Sequence, residues 1–356
     1  MIQPTRDQLC ALVHAGTEAR DLDLKGLDLN GALLAGGVFC ACDFSGARLA
    51  QADMRQSSFF DCRFDAACLA EARTQDSFFA RCSFAGSDLK RASSLNTNFA
   101  ECQFTDCDFA QAELGLVVFV KSRLERVRFS GCRTDRANWL ECELIAPDFS
   151  STLLDRIVVL KADLRSANFA GAQLKNVVFL QCQLMGQKFA GSDLTQSQLI
   201  GADVSGCDFR GAVLRQCNFQ GGKAQATQFA KADARNAIFM GCDLAGADFQ
   251  GAVLTQAIFV EARAPQVRFD HADMRQCLLM RAICQQASFA NVRLDEADAS
   301  HADLREADLR GASMYRTRLH GVHDQGAAYS DRLRALESDE PLLAAERWQP
   351  RVISTQ

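Results

Sequence analysis

Four cysteines, Cys42, Cys62, Cys82 and Cys102, recur at one constant interval, and eight more of the chain's 16 Cys share their five-residue phase. A thiol column of this kind has the donors for a metal or redox ladder. Stacked thiols, however, project in parallel, whereas a tetrahedral metal needs convergent donors. No His accompanies the column. The spacing therefore reads as Cys used as a small buried hydrophobe. The five His are scattered, and His320-x-x-His323-Asp324 is the one local group with ligand spacing. Asp recurs at Asp43, Asp53, Asp88, Asp163, Asp203, Asp243, Asp273 and Asp303, in one fixed phase that suits a turn former better than a paired acid and base. The sequence holds no G-x-G-x-x-G and no phosphate loop. No catalytic residue, metal ligand or cofactor site is expected, and the chain reads as a non-enzyme.

Cationic side chains offer a second chemistry. Lys121, Arg123, Arg126, Arg128, Arg133 and Arg136 stand against only Glu125 and Asp135. Between Asp163 and Asp193 no residue is acidic, while Arg165, Lys175 and Lys188 lie among several Gln. These nine residues are the expected partner-binding surface. Near the end, Trp348 is expected either to seal the last coil or to anchor a partner.

What positions these groups is a period of five. From Leu24 to Leu319, 60 positions spaced by five hold 23 Phe, 23 Leu, 3 Met and 1 Trp, so 50 are large and apolar. Two residues ahead of each centre, 53 of the 60 are small or β-branched: 26 Ala, 12 Cys, 6 Ser, 5 Val and 4 Thr. Two inward residues in every five fit neither the 3.6 period of a helix nor the 2 of a flat strand. Each pentapeptide is expected to form one side of a square, with 20 residues to a coil and about 15 coils stacked at about 4.8 Å. Gly recurs two places after the centre, as at Gly46, Gly201 and Gly311, where a corner is needed.

The motif A-[D/N]-[L/F]-x-x is nearly pure in Ala162-Asp-Leu-Arg-Ser-Ala-Asn-Phe-Ala-Gly and in Ala302-Asp-Leu-Arg-Glu-Ala-Asp-Leu-Arg-Gly. It resembles the pentapeptide-repeat family. That resemblance implies an all-β fold, the right-handed quadrilateral β-helix. Characterised members that confer quinolone resistance mimic duplex DNA and bind gyrase, with strongly acidic surfaces and, in some, loops that break the coils. Here residues 22–321 carry 35 Asp+Glu and 33 Lys+Arg, with no insertion in the period. So balanced a charge suits neither a DNA mimic nor a nucleic-acid binder.

The ends of a β-helix expose unpaired backbone, and caps are expected there. Thr5 with Gln8 forms a capping box, Leu9, Leu12 and Val13 an apolar stripe, and Gly16 a stop. Beyond Gly321 the period fades. Ser330 is expected to start a short helix that Pro341 breaks, Leu342–Trp348 to make another turn, and the apolar-poor Arg351–Gln356 to fray. The expected organisation is a cap over 1–21, the repeat over 22–321 and a helical or irregular tail over 322–356. Homo-oligomers would form through the terminal segments.

No apolar run reaches the roughly 18 residues of a membrane span. Met1-Ile-Gln-Pro-Thr-Arg-Asp lacks the basic-then-apolar pattern of a signal peptide, so a cytoplasmic location is expected, with export lacking a cleaved signal equally compatible. The leading expectation is a protein-binding scaffold or adaptor. The Thr-x-x-Gln helix leading into Leu22-Asp-Leu-Lys-Gly-Leu-Asp-Leu-Asn-Gly-Ala-Leu-Leu is similar to bacterial members of the family encoded near type VI secretion components, which implies an accessory role there. The alternative is a DNA mimic acting on gyrase.

Overall fold

A computed structural model describes residues 3–348. The fraying expected at Arg351–Gln356 lies outside them. The chain forms two compact units, one of residues 1–185 with 196–203 and one of 186–195 with 204–356. Each is a right-handed, four-sided β-helix, and together they wind through about 16 turns. The hand is the one that parallel crossover connections take.

The hydrogen bonds show why five residues suffice for a side. The Leu24 N–H donates to the Asp43 carbonyl (2.8 Å), and the Asp43 N–H donates back to Leu22 (2.9 Å), so each residue pairs with its counterpart on the next coil. At the corner the Leu27 N–H closes onto the Leu24 carbonyl (3.2 Å). Positive φ two places after the centre, as in a type II turn, recurs throughout: 66° at Gly46, and also 58° at Leu116 and 46° at Lys121, where side chains accept the strain. The Asp ahead of the centre is a turn former, as expected. Asp43 Oδ1 accepts the Ser45 N–H (3.0 Å) and Asp163 Oδ1 the Arg165 N–H (3.1 Å).

All 60 centres are buried. So is the small site two places earlier, apart from partial exposure at Leu22, Leu27, Ala172, Gln187 and Ser192. Inside the first unit, Phe39, Phe59, Phe79, Phe99 and Phe119 stack in parallel at 4.7–5.1 Å. They meet the column Phe44–Phe64–Phe84–Phe104 edge to face, as at 5.6 Å for Phe39–Phe44. From Phe109 onward the partner column comes from the opposite side, with Phe129 and Phe149 set edge-on to Trp139. In the second unit Phe209, Phe229, Phe249 and Phe269 meet Phe219, Phe239 and Phe259 in the same way. Offset rings avoid the repulsive face-to-face sandwich at both contacts.

The N-terminal cap forms as the sequence predicts. Helix α1 spans Arg6–His14, and Thr5 and Gln8 bond reciprocally as a capping box. Leu9 and Val13 are buried, and Gly16 closes the turn at φ 65°. The C-terminal segment differs from expectation. Ser330 caps nothing; its Oγ accepts the Gly311 N–H (3.1 Å), completing a backbone donor on the coil beneath. A short 3-10 turn at Arg332–Arg334 follows Asp331 instead. Pro341 does not break a helix but opens one, because its missing N–H is harmless in a first turn. Helix α2 spans Glu340–Glu346, with the Leu342 N–H donating to the Asp339 carboxylate (3.0 Å). The bridge Asp303–His323 keeps the 20-residue coil spacing beyond residue 321, and Arg318–Leu336 closes a coil two residues shorter. No helix among the described residues is long and apolar enough to cross a membrane.

Candidate functional site

The cysteine column is sealed. Cys42, Cys62, Cys82 and Cys102 are at most 1% exposed, and all 16 Cys are free thiols. Each sulfur reaches a backbone carbonyl, as Cys42 does to Ala19 (3.3 Å) and Cys82 to Phe59 (3.5 Å). Burial pushes the Cys142 and Cys182 thiols up to about 11 and Cys242 to about 12, so the thiolate that would ligate or attack is suppressed. Ser122, Thr152 and Thr227 make the same bond to a carbonyl one coil back, which accounts for hydroxyls in an apolar interior.

The cationic belt winds round the coil and does not gather on one side. Arg123, Arg128 and Arg133 flank three successive centres, and Lys121, Arg126 and Arg136 occupy corners. Most are paired. Arg126 pairs with Asp106 (2.6 Å) and with Glu125, Arg123 with Glu143 (2.5 Å), Arg128 with Asp108 (3.0 Å) and Arg136 with Asp135 (3.1 Å). Asp106, Asp108 and Glu143 belong to adjacent coils, so a count along the chain misses them. Lys121 and Arg133 have no ion pair within 4 Å among the described residues, and nor does Lys175. Arg165 pairs with Asp163 (2.7 Å). It and Lys175 flank centres half a coil apart, on opposite sides, and Lys188 belongs to the second unit. Trp348 is 72% exposed and seals no coil.

The first unit also has a side that linear reading passed over. Its nine-stranded parallel sheet runs in register from Ala19–Arg20 through Val38–Cys40 to Val178–Leu180. On every rung from Val38–Cys40 to Val178–Leu180, both neighbours of the inward centre are uncharged. The other three sides carry Asp, Glu, Lys or Arg at intervals. The signal is present in the sequence, but only when residues one coil apart are compared side by side.

In the second unit α2 borders a cleft of about 590 Å³ that includes Met280, Arg281, His301, His320, Leu342 and Glu346. The Nε2 atoms of His301 and His320 each lie 3.2 Å from one Glu346 oxygen. His323, which shares ligand spacing with His320 in the sequence, is exposed, and Asp324 bonds instead to Tyr329 (2.8 Å) and to Arg332. The three clustered groups could hold a divalent cation in principle. Yet His320 Nδ1 accepts the Asp339 N–H (3.2 Å), which leaves the proton of the neutral ring on Nε2, where a metal would need the lone pair. As built, the cluster is a latch: His320 donates to Glu346 and holds α2 against the coil.

The geometry defines a class, the four-sided β-solenoid whose interior is filled by repeat side chains. The pattern described as "Pentapeptide repeats (8 copies)" matches residues 23–61, 77–133, 142–276 and 282–321 in overlapping segments. The chain belongs to the pentapeptide-repeat family. Similar solved structures include HetL, involved in heterocyst differentiation regulation, from Nostoc sp. strain PCC 7120, 19% identical over 95% of this chain and 98% of that one (TM-score 0.22). Rfr23 from the cyanobacterium Cyanothece 51142 is 24% identical over 28% of this chain and 67% of that one (TM-score 0.26). QnrB1, a plasmid-mediated fluoroquinolone resistance protein, is 17% identical over 66% and 90% (TM-score 0.26). No curated protein sequence matches the chain.

Proposed function

We propose that this protein is a non-enzymatic scaffold that binds another protein along the outer sides of its coils. One observation carries the reading: all 60 inward centres are buried, so the side chains available for recognition stand on the outer sides. Arg133 and Lys175, unpaired and flanking centres of the same side two coils apart, are the contacts to test first, ahead of the ion-paired Arg126 and Arg128. Lys121, Arg123, Arg136 and Arg165, on other sides and corners of the first unit, and separately Lys188 and the exposed Trp348 of the second, are the further proposed contacts. An accessory role in bacterial secretion, from a cytoplasmic location, is supported by the similarity of the segment from Thr5 to Leu34. DNA mimicry is disfavoured by a side without any charge and by sides where Arg and Asp alternate.

Photo-crosslinkers placed beside Arg133 and Lys175 test the proposal in cells of the source organism. One protein should be captured by the native chain, and capture should fall sharply for Arg133→Glu/Lys175→Glu. Equal capture by the variant would refute the assigned side. In parallel, micromolar protein should neither inhibit gyrase supercoiling nor protect the enzyme from quinolones; either effect would favour mimicry instead.

A further inference from the structure

We propose that the charge-free side of the first unit is where a second copy of this chain docks, face to face and with the coils running in opposite directions. The eight rungs from Val38–Cys40 to Val178–Leu180 repeat in register. At about 4.8 Å per rung and about 20 Å wide with its corners, the face offers on the order of 700 Å². A stable interface covers about 800 Å² per partner. Phe60, Leu140 and Leu160 stand outward on it, partly exposed. Most of its corners are polar, the exceptions including Gly36, Ala41 and Leu116, and this approaches the arrangement of an apolar interface core within a charged rim.

The rim decides the occupant. After successive rungs the corner residues are Asp61, Arg81, Glu101, Lys121, Glu141 and Lys161, and this order inverts its sign when read backwards. A two-fold axis lying across the face, midway between the rungs Asn98–Ala100 and Val118–Val120, lays this rim on its own copy in reverse. Asp61 then meets Lys161, Arg81 meets Glu141 and Glu101 meets Lys121, each pair twice. On the opposite rim the same axis sets Asp76 against Arg136 and brings no like charges together. A parallel arrangement would set Arg156 against Lys161. In the chain alone Asp61 pairs with Arg81 (2.7 Å) and Glu141 with Lys161 (3.6 Å), while Glu101 and Lys121 have no ion pair among the described residues. Across the face the same axis sets Phe60 against Leu160, apolar on apolar, and Leu140 against the small Ala80. An isologous contact of this kind closes on itself and leaves both ends of the coils free.

The test is light scattering of the full chain at micromolar concentration. The native protein should have twice the 39.0 kDa of one chain. Leu140→Glu/Leu160→Glu should be a single chain with its circular-dichroism melting curve retained, since both side chains point outward. Glu101→Lys and Lys121→Glu should each weaken dimerisation about tenfold or more, and the two together should restore it, because the swapped charges again face opposites. A native protein of single-chain mass overturns the proposal. So does a dimer indifferent to the Leu substitutions, which would place the contact at the ends, and so does a double charge swap no tighter than the single ones.

Discussion

At the scale of single residues, stability rests on rings that touch one another above, below and edge-on. Phe229 stacks on Phe209 (5.3 Å) and Phe249 (4.5 Å) and is T-shaped to Phe219 and Phe239. Phe229→Ala should cost about 3–5 kcal/mol in denaturant unfolding, the range for large-to-small core changes. A loss under about 1 kcal/mol would contradict this packing. Trp139 is a different case, because its indole Nε1 is buried without a hydrogen-bond partner. Trp139→Phe keeps the ring between Phe129 and Phe149 and removes an unpaired donor whose burial costs about 1–3 kcal/mol. Melting at or above the native temperature is expected, and a clear drop would mean the larger ring's packing outweighs its stranded N–H. Gly321 combines a φ of 60° with His301 pressed against it, 2.5 Å from where a Cβ would sit. Gly321→Ala should therefore displace His301 and loosen α2, seen as faster amide exchange in Leu342–Glu346.

At the scale of elements, the caps answer to their own chemistry. The Glu346 carboxyl is held below its ordinary value, chiefly by the hydrogen bond from His320 and also by the charge of His301. A depressed carboxylate adds stability above its unfolded value and loses it as pH falls through the folded one. Docking of α2 should accordingly weaken as pH drops below about 4.5, the ordinary Glu value, and Glu346→Gln should show the weakened state already at neutral pH. Hydrogen exchange of α2 across pH 3–6 reads both; a helix equally protected throughout would rule the latch out. The segment after Gly321 was only partly legible in the sequence. Pro341 and Ser330 are ambiguous residues, since Pro both ends and starts helices, and a Ser hydroxyl serves any backbone donor nearby. Which donor lay near was fixed by the Gly311 corner on the coil beneath.

At the scale of the molecule, each unit carries ladders of Asp and Arg two residues apart. In the second unit Asp233, Asp303 and Asp308 are brought down to about 2, each first by its hydrogen bonds from Arg235, Arg305 and Arg310. These carboxylates stabilise the folded state above the ordinary value of 3.8, and the contribution disappears as pH falls toward 2. Thermal unfolding of the second unit should hence drop between about pH 4 and pH 2, and Asp233→Asn/Asp303→Asn/Asp308→Asn should flatten that dependence. A profile as steep in the variant as in the native protein would assign acid sensitivity to other groups.

The coil is already written in the order of residues. A buried large residue every fifth position, with a small one two places before it, leaves one backbone solution in which both point inward, and local turn chemistry at Asp43 or Gly46 enforces it. The sequence also determined that the thiols of Cys42 to Cys102 are packing. What the surface offers emerges only once the coils are stacked, because charge there is set by neighbours on the adjacent coils. Arg126 and Arg128 are read along the chain as free cations, yet they stand over Asp106 and Asp108. The same stacking that neutralises them gathers Phe60, Leu140 and Leu160, far apart along the chain, onto one uncharged side.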